Sequence, residues 1–393
     1  MSKYRLYGNG IKDDYPAIQE MLDSGASEVY LPAPKKHYLI SKTLKIHGDQ
    51  TLRLGKTTLI RLMDNSDCCM LADDNFEMYK ENICVDGGIW DMNSANQSYN
   101  PYHYPDKKQG KTAYEKLKEI GYVHAESVSL SPIEIYGGYC MRFSRVVNFT
   151  MKNVTFRNPV IYAVQVSYLK QFTFRDITFD YFCGSPKLWN LDGIHVEGNC
   201  KHGFIQNIKG TTHDDLVALT ADDGGPYGPI ENVVIDGIYA DNTHSAIRLL
   251  SHGEPIRNIK ISNVFATCYK YAIGLTKYHG GPEERGVYEN ISIDNVTVAN
   301  CEGTLDVHGA QAPIYVQSYL DVNGLSITNV HRRETYSNEP TLYIYEGTKV
   351  NNLVLKNVTL YNDTEKEIKP YVIDGEVENF IEENVIVDGK KIK

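Results

Sequence analysis

No apolar stretch in this sequence is long enough to cross a membrane, so no membrane partner is expected. No basic start leading into an apolar run is present either; Met1-Ser2-Lys3-Tyr4-Arg5-Leu6 runs straight into polar sequence. A cytoplasmic location is therefore expected, or a secreted one if a leader has been removed. Excess positive charge is missing too: the formal net charge is -10. That excludes non-specific nucleic-acid binding, which needs a basic surface. It also means that an acidic substrate would have to be held by local basic residues. The eight cysteines (68, 69, 84, 140, 183, 200, 268 and 301) have no CxxC or zinc-like spacing. They are expected as free thiols in a reducing compartment, with no metal site and no other cofactor. Tryptophan is scarce, at 2 residues, whereas tyrosine is abundant, at 29. Tyrosine fits strands well and also suits a groove that stacks sugar rings.

What is present is a repeat. A small polar residue followed by Val or Ile opens a short strand at Asn153-Val154, Asp176-Ile177, Asn207-Ile208 and Gly237-Ile238. It recurs at Asn263-Val264, Asn295-Val296, Asn329-Val330 and Asn357-Val358, with gaps of 23 to 34 residues between successive copies. Irregular gaps fit solenoid coils with loops of varying length. A β-sandwich is the alternative, but it would not supply so many copies at this period. The expected class is all-β, a parallel β-helix, with stacked Asn residues forming hydrogen-bonded ladders along it. Residues 1–36 read as an N-terminal cap. Asp13-Asp14 and Pro16 start a short helix, Ala17, Ile18, Met21 and Leu22 form its apolar stripe, and Ser24-Gly25 ends it. Val29-Tyr30-Leu31 is then a strand stopped by Pro32. Residues 92–131 interrupt the repeat, with Tyr99, Tyr102, His103, Tyr104 and a helical run from Thr112 to Ile120. Such an insertion is either functional or a contact between protomers, so a homo-oligomer is among the expected partners. With no clear linker, residues 1–393 are expected as one domain.

Acidic residues mark the candidate site. Asp192 lies in Asn190-Leu191-Asp192-Gly193-Ile194, and the pair Asp214-Asp215 follows one plausible coil later, after His213. Neighbouring coils lie about 4.8 Å apart, so the three carboxylates are expected to gather on one face. A cluster that repels itself points to chemistry, because crowding keeps one carboxyl protonated and the others ionised. Glycosidic hydrolysis needs that combination, a proton donor and a base for water. Adjacent strand residues face opposite ways, so a kink at Asp214-Asp215 is required if both are to serve the site. His244 lies 29 residues beyond Asp215, and Lys277 lies 33 beyond His244. His244 is expected to tune the acidic carboxyl, and Lys277 or Arg248 to hold a sugar carboxylate or hydroxyl. His195, His213, His252 and His279 are expected near the same face, without a compact metal-ligand motif. Asp222-Asp223 sits in an acidic loop over 221–229, for which a solvated role is expected rather than calcium binding.

These segments resemble the polygalacturonase-like enzymes of glycoside hydrolase family 28. Those right-handed, pectin-lyase-like β-helices carry Asn-Thr-Asp-Gly, Asp-Asp, Gly-His-Gly and Arg-Ile-Lys on successive coils. Asn190, Asp192 and Gly193 match the first motif, and Asp214 and Asp215 the second. His244 matches only the His of the third and Lys277 only the Lys of the fourth, with Leu275 where the Arg would stand. The resemblance covers roughly residues 145–300. It implies an inverting glycoside hydrolase acting on an oligo- or polysaccharide, uronate-containing if polygalacturonase-like, with Asp214 as general acid, Asp192 and Asp215 activating water, and His244 supporting the acid. Lys277, Arg248, Asn190, His213 and His195 would then contact a carbohydrate substrate. A β-helix polysaccharide lyase, with Lys, Arg or His as base, and a non-catalytic glycan-binding solenoid are the other two expectations.

Overall fold

The computed structural model describes residues 5–121, 131–181, 190–223, 225–303 and 309–392. Cys183 and part of the 92–131 insertion lie outside them. Contacts divide the chain into two compact units, residues 1–197 with 224–226, and residues 198–223 with 227–393. Each is described by itself.

In the first unit the N-terminal helix runs Tyr15–Leu22 and buries Ala17, Ile18 and Leu22. Asp14 precedes it, but its carboxylate does not cap the helix; it accepts the N–H groups of Tyr7 at 2.5 Å, Gly8 at 3.0 Å and Leu39 at 3.2 Å. The Asp13 carboxylate accepts the Tyr15 N–H instead, at 2.9 Å. Gln19 then ties the helix to the next coil by exchanging hydrogen bonds with the Lys45 backbone. The strand Glu28–Leu31 follows, as expected before Pro32, and pairs in parallel with Gln50–Leu54. One stack of parallel strands is Leu44–Ile46, Leu71–Asp73, Met141–Ser144, Val164–Ser167 and Ile194–Glu197. In the 92–131 insertion, the helix Ala113–Glu119 starts at a capping box between Thr112 and Glu115.

The second unit is built from the repeat read in the sequence. Its turn residue is left-handed: φ is 53° at Asn207, 56° at Asn263, 54° at Asn295 and 55° at Asn357. Asn tolerates that region because its short side chain bonds locally. Gly237 takes the same position with φ of 73°, a conformation that glycine adopts without strain. The following Val or Ile is buried in each copy, at Ile208, Ile238, Val264, Val296, Val330 and Val358. Fully burying each such side chain is worth about 1.5–3 kcal/mol. The expected ladder forms: Asn295 donates to Asn263 at 2.7 Å, Asn357 to Asn329 at 2.9 Å and Asn384 to Asn357 at 2.9 Å. The observed class is the expected all-β parallel β-helix.

One stack of this unit carries the candidate site. It begins with Asp215–Thr220 and continues through the ends of Ile230–Leu250 and Ile256–Thr276 to Ile314–Val316 and Leu342–Ile344. Val217, Ile247, Ile273, Ile314 and Leu342 pair across successive coils and are buried. The neighbouring positions, Ala218, Arg248, Gly274, Tyr315 and Tyr343, therefore form one row on the opposite face of the sheet.

Candidate functional site

Asp214 and Asp215 straddle a strand boundary. The strand starts at Asp215, and Asp214 lies in the turn before it, its carbonyl accepting the Thr212 hydroxyl at 2.9 Å. Along Ile230–Leu250 the register against the next coil slips between Ala240 and Thr243 and again before Ser245. The kink that an Asp-Asp pair needs if both are to serve one site is the break one coil earlier, between the strands Cys200–Thr211 and Asp215–Thr220. Asp214, Asp215 and His244 each bring a ligand atom to within 4.8 Å of the others.

The two carboxylates have different surroundings. Asp215 is fully buried, is bonded by the Ser245 hydroxyl, and pairs with Arg248 Nε at 2.5 Å. Asp214 keeps 26% of its side chain exposed and places Oδ1 3.3 Å from His244 Nδ1. The same nitrogen lies 3.1 Å from the Ser245 hydroxyl, so His244 bridges the two acidic neighbours. Burial pushes the Asp214 pKa up, but the hydrogen bond and charge of His244, then Arg248 and Lys270, outweigh it and hold the carboxyl well below its usual range. Lys270 is itself pushed down by burial, against the pull of Asp215 and Asp214. His213 is lowered by burial and by His244, and its Nδ1 is buried without a hydrogen-bond partner among the described residues.

Lys270 was not singled out in the sequence, where Lys277 was expected to supply the cation. The structure places Lys277 elsewhere. It follows the C-terminal end of the strand Ile256–Thr276 and is 2% exposed. Its ammonium donates to the carbonyls of Gly281 at 2.5 Å and Glu284 at 2.6 Å, closing its own loop. The cause is coil length. Thr243 pairs with Cys268 and Ser245 with Tyr271, so the residues one coil beyond His244 are Tyr269 and Lys270, the lysine 26 positions on, not Lys277, 33 positions on. Arg248 is at the face expected, but its charge is committed to Asp215. Beyond it the outward row becomes aromatic. The Tyr271 ring packs over Gly274 and stacks on Tyr315 at 5.5 Å and 5°, and Tyr343 stacks on Tyr345 at 3.8 Å.

The first unit holds Asp192 in a buried chain of polar groups. Asp192 is 1% exposed and places Oδ2 2.6 Å from His195 Nδ1. His195 Nε2 lies 3.5 Å from Glu197, which accepts from Gln165 at 2.9 Å, which accepts in turn from Arg142 at 3.2 Å. The Tyr162 ring stacks on His195 at 4.1 Å and 9°. His195 is thus the partner that orients Asp192. Asn190 has φ of 56° and accepts from Asn100 at 3.0 Å, which ties this turn to the insertion. Glu197 and Gln165 went unnoticed in the sequence, although Arg142, Gln165 and His195 pair on successive coils.

A parallel β-helix with a kinked carboxylate pair, a histidine beside it and cations at its edge is equipped to move protons at a polar bond. Residues 138–254 match the sequence model of the glycosyl hydrolases family 28. That match supports a glycoside hydrolase and agrees with the resemblance read from the motifs. No curated protein sequence matches the chain. Among solved structures, the chain is similar to an exopolygalacturonase of Thermotoga maritima, with a TM-score of 0.69 and 16% identity over 98% of this chain and 90% of that one. It is similar to the family 28 exopolygalacturonase of Yersinia enterocolitica, with a TM-score of 0.64 and 16% identity over 95% and 76%. It is also similar to the surface adhesin PfbA of Streptococcus pneumoniae, with a TM-score of 0.57 and 15% identity over 97% of each chain. At these identities the structures speak for the fold.

Proposed function

We infer that the chain is an inverting glycoside hydrolase of the polygalacturonase type, acting on uronate-containing oligosaccharides. The observation that carries this reading is the gathering of Asp214, Asp215 and His244 at one strand boundary, with Arg248 and Lys270 beside them. His244 Nδ1 lies 3.3 Å from Asp214 Oδ1 and, with Arg248 and Lys270, holds that carboxyl well below its usual range, so Asp214 takes up a proton as donor only once bound substrate separates it from these partners. A bound sugar ring displaces water from this pair, and Asp214 passes that proton to the glycosidic oxygen as the bond to the anomeric carbon breaks. A water molecule attacks the opposite face of that carbon and loses its proton to a carboxylate, the role the resemblance implies for Asp215 and Asp192. Arg248 and Ser245 hold the Asp215 carboxyl in place. Tyr315 and Tyr343, half-buried on the outward row, offer aromatic surface to further sugar rings, with the buried Tyr271 ring stacked behind Tyr315.

One observation favours a second reading. Lys270 is a half-buried lysine with a lowered pKa, the property needed of the base in a polysaccharide lyase. The two reactions leave different products. The test is a panel of oligogalacturonides and neutral oligosaccharides, followed by reducing-sugar release, ultraviolet absorbance and the anomeric configuration of the first product. Hydrolysis with inversion and no unsaturated product is expected. Asp214→Asn should lower turnover by about 10²–10⁴-fold with the fold intact. Unchanged turnover in that variant would remove the proposed donor. An unsaturated product would establish the lyase, and binding without turnover would establish a glycan-binding solenoid.

A further inference from the structure

A second cluster sits at the other end of the same strand stack. Asp214, His244 and Lys270 immediately precede the three stacked segments that begin at Asp215, Ser245 and Tyr271. Asp223, His252 and His279 follow the C-terminal ends of those strands, which finish at Thr220, Leu250 and Thr276. At about 3.3 Å per residue, the length of Asp215–Thr220 alone separates the two ends by roughly 17 Å. The distal cluster is therefore a distinct site, and the inference drawn from it stands apart from the glycosidase reading.

Three donor atoms converge there. Asp223 Oδ1 lies 3.9 Å from His252 Nε2 and 3.7 Å from His279 Nε2. All three atoms fall within 4.8 Å of one another, and the two imidazole rings are 4.5 Å apart. Asp223 Oδ1 and His252 Nε2 are buried, yet neither has a hydrogen-bond partner among the described residues. Burying a polar atom without a partner is costly, and two such atoms aimed at the same point indicate a missing third body. The frame around them is set independently. The Asp222 carboxylate accepts the backbone N–H of His252 at 2.6 Å and of Glu254 at 2.7 Å, which locks the Asp223 loop to the His252 loop. His279 is held in a loop closed by Lys277 and keeps 53% of its side chain exposed.

We propose that Asp223, His252 and His279 bind a divalent cation of the zinc class, with a fourth position open to solvent beside His279. Two imidazole nitrogens and one carboxylate oxygen are a donor set that suits zinc and its first-row neighbours. Calcium requires six to eight oxygens, which this cluster does not offer. Bonds of about 2.0–2.1 Å in a tetrahedron place donors about 3.4 Å apart. Closing the 3.7 Å and 3.9 Å separations to that value takes small side-chain rotations of the exposed His279 and of Asp223. The sequence concealed this site because its ligands come from three coils, with no compact motif, and Asp222-Asp223 read as a solvated acidic loop.

The test uses the full chain, stripped with a chelator and titrated with Zn2+ by calorimetry, and with Co2+ followed by its visible spectrum. One zinc ion per chain and the intense visible bands of four-coordinate cobalt are expected. His279→Ala, at an exposed position that leaves folding intact, should weaken zinc binding by more than about 100-fold, since even an outer-shell partner contributes about 10–100-fold. His252→Ala should do the same, and Asp214→Asn should bind zinc like the parent protein. Absence of stoichiometric binding, equal affinity in His279→Ala, a six-coordinate cobalt spectrum, or calcium bound as tightly as zinc would each overturn the proposal.

Discussion

Arg248 separates two accounts of the site. Either it is a clamp waiting for a sugar carboxylate, or it is the counter-charge that lets Asp215 be buried. Asp215 is fully buried, and Arg248 keeps only 14% of its side chain exposed, with Nε 2.5 Å from Asp215 Oδ2. Removing one partner of a buried pair costs about 3–5 kcal/mol, chiefly because the other charge is stranded. The Ser245 hydroxyl still supports Asp215 in the variant, and Lys270 still attracts it, so the lower end applies. Arg248→Ala should therefore destabilise the unit by about 3 kcal/mol. For a unit of about 200 residues that is a fall in Tm of roughly 6–12 °C, read by scanning calorimetry. The double variant Asp215→Asn with Arg248→Ala removes the stranded charge and keeps an oxygen for Ser245. It should recover more than half of the lost stability, a coupling that two independent sites would not show. An Arg248→Ala protein melting within about 1 °C of the parent would refute the reasoning, as would a double variant whose loss is the sum of the two single losses.

Two further outcomes follow from the same geometry. Lys270→Met should lower kcat/KM on acidic oligosaccharides by at least about tenfold, about 1.4 kcal/mol, whereas Lys277→Met should leave it within about twofold after correction for any unfolded fraction; equal losses would mean that the coil register does not choose between the two lysines. Asp214, held below the ordinary carboxylate pKa by His244, contributes stability that is present above about pH 3.9 and lost as pH falls through its lower folded value. His244→Gln takes away its nearest partner, so the stability gap between parent and variant in urea should be full at pH 6 and should narrow below about pH 4; a gap that stays constant down to about pH 3 would separate Asp214 from His244.

Much of the fold was legible because the solenoid repeats its demands on the chain. Each coil needs a left-handed turn residue followed by a buried β-branched one, and Asn295-Val296 or Asn357-Val358 states both needs in two letters. The carboxylate pair was legible for a related reason: Asp214-Asp215 can share a site only at a kink, and Thr212 before it and Ser245 beyond it are placed where that kink forms. Lys270 was not legible. Its coil is 26 residues long, while the coil before and the coil after carry longer loops, so counting at the average period lands on Lys277. Register in a solenoid is set by the strand ladder, and loop length enters sequence spacing without changing which side chains meet. The same effect hid Asp223, His252 and His279, whose spacing of 29 and 27 residues looks like any other pair of coils until the strand ends at Thr220, Leu250 and Thr276 are aligned. Sites of this architecture are columns, read across coils at one height along the strand. A column becomes visible in a sequence only when a marker of the strand's start or end, such as the Asp-Asp kink, gives each coil a common origin from which to count.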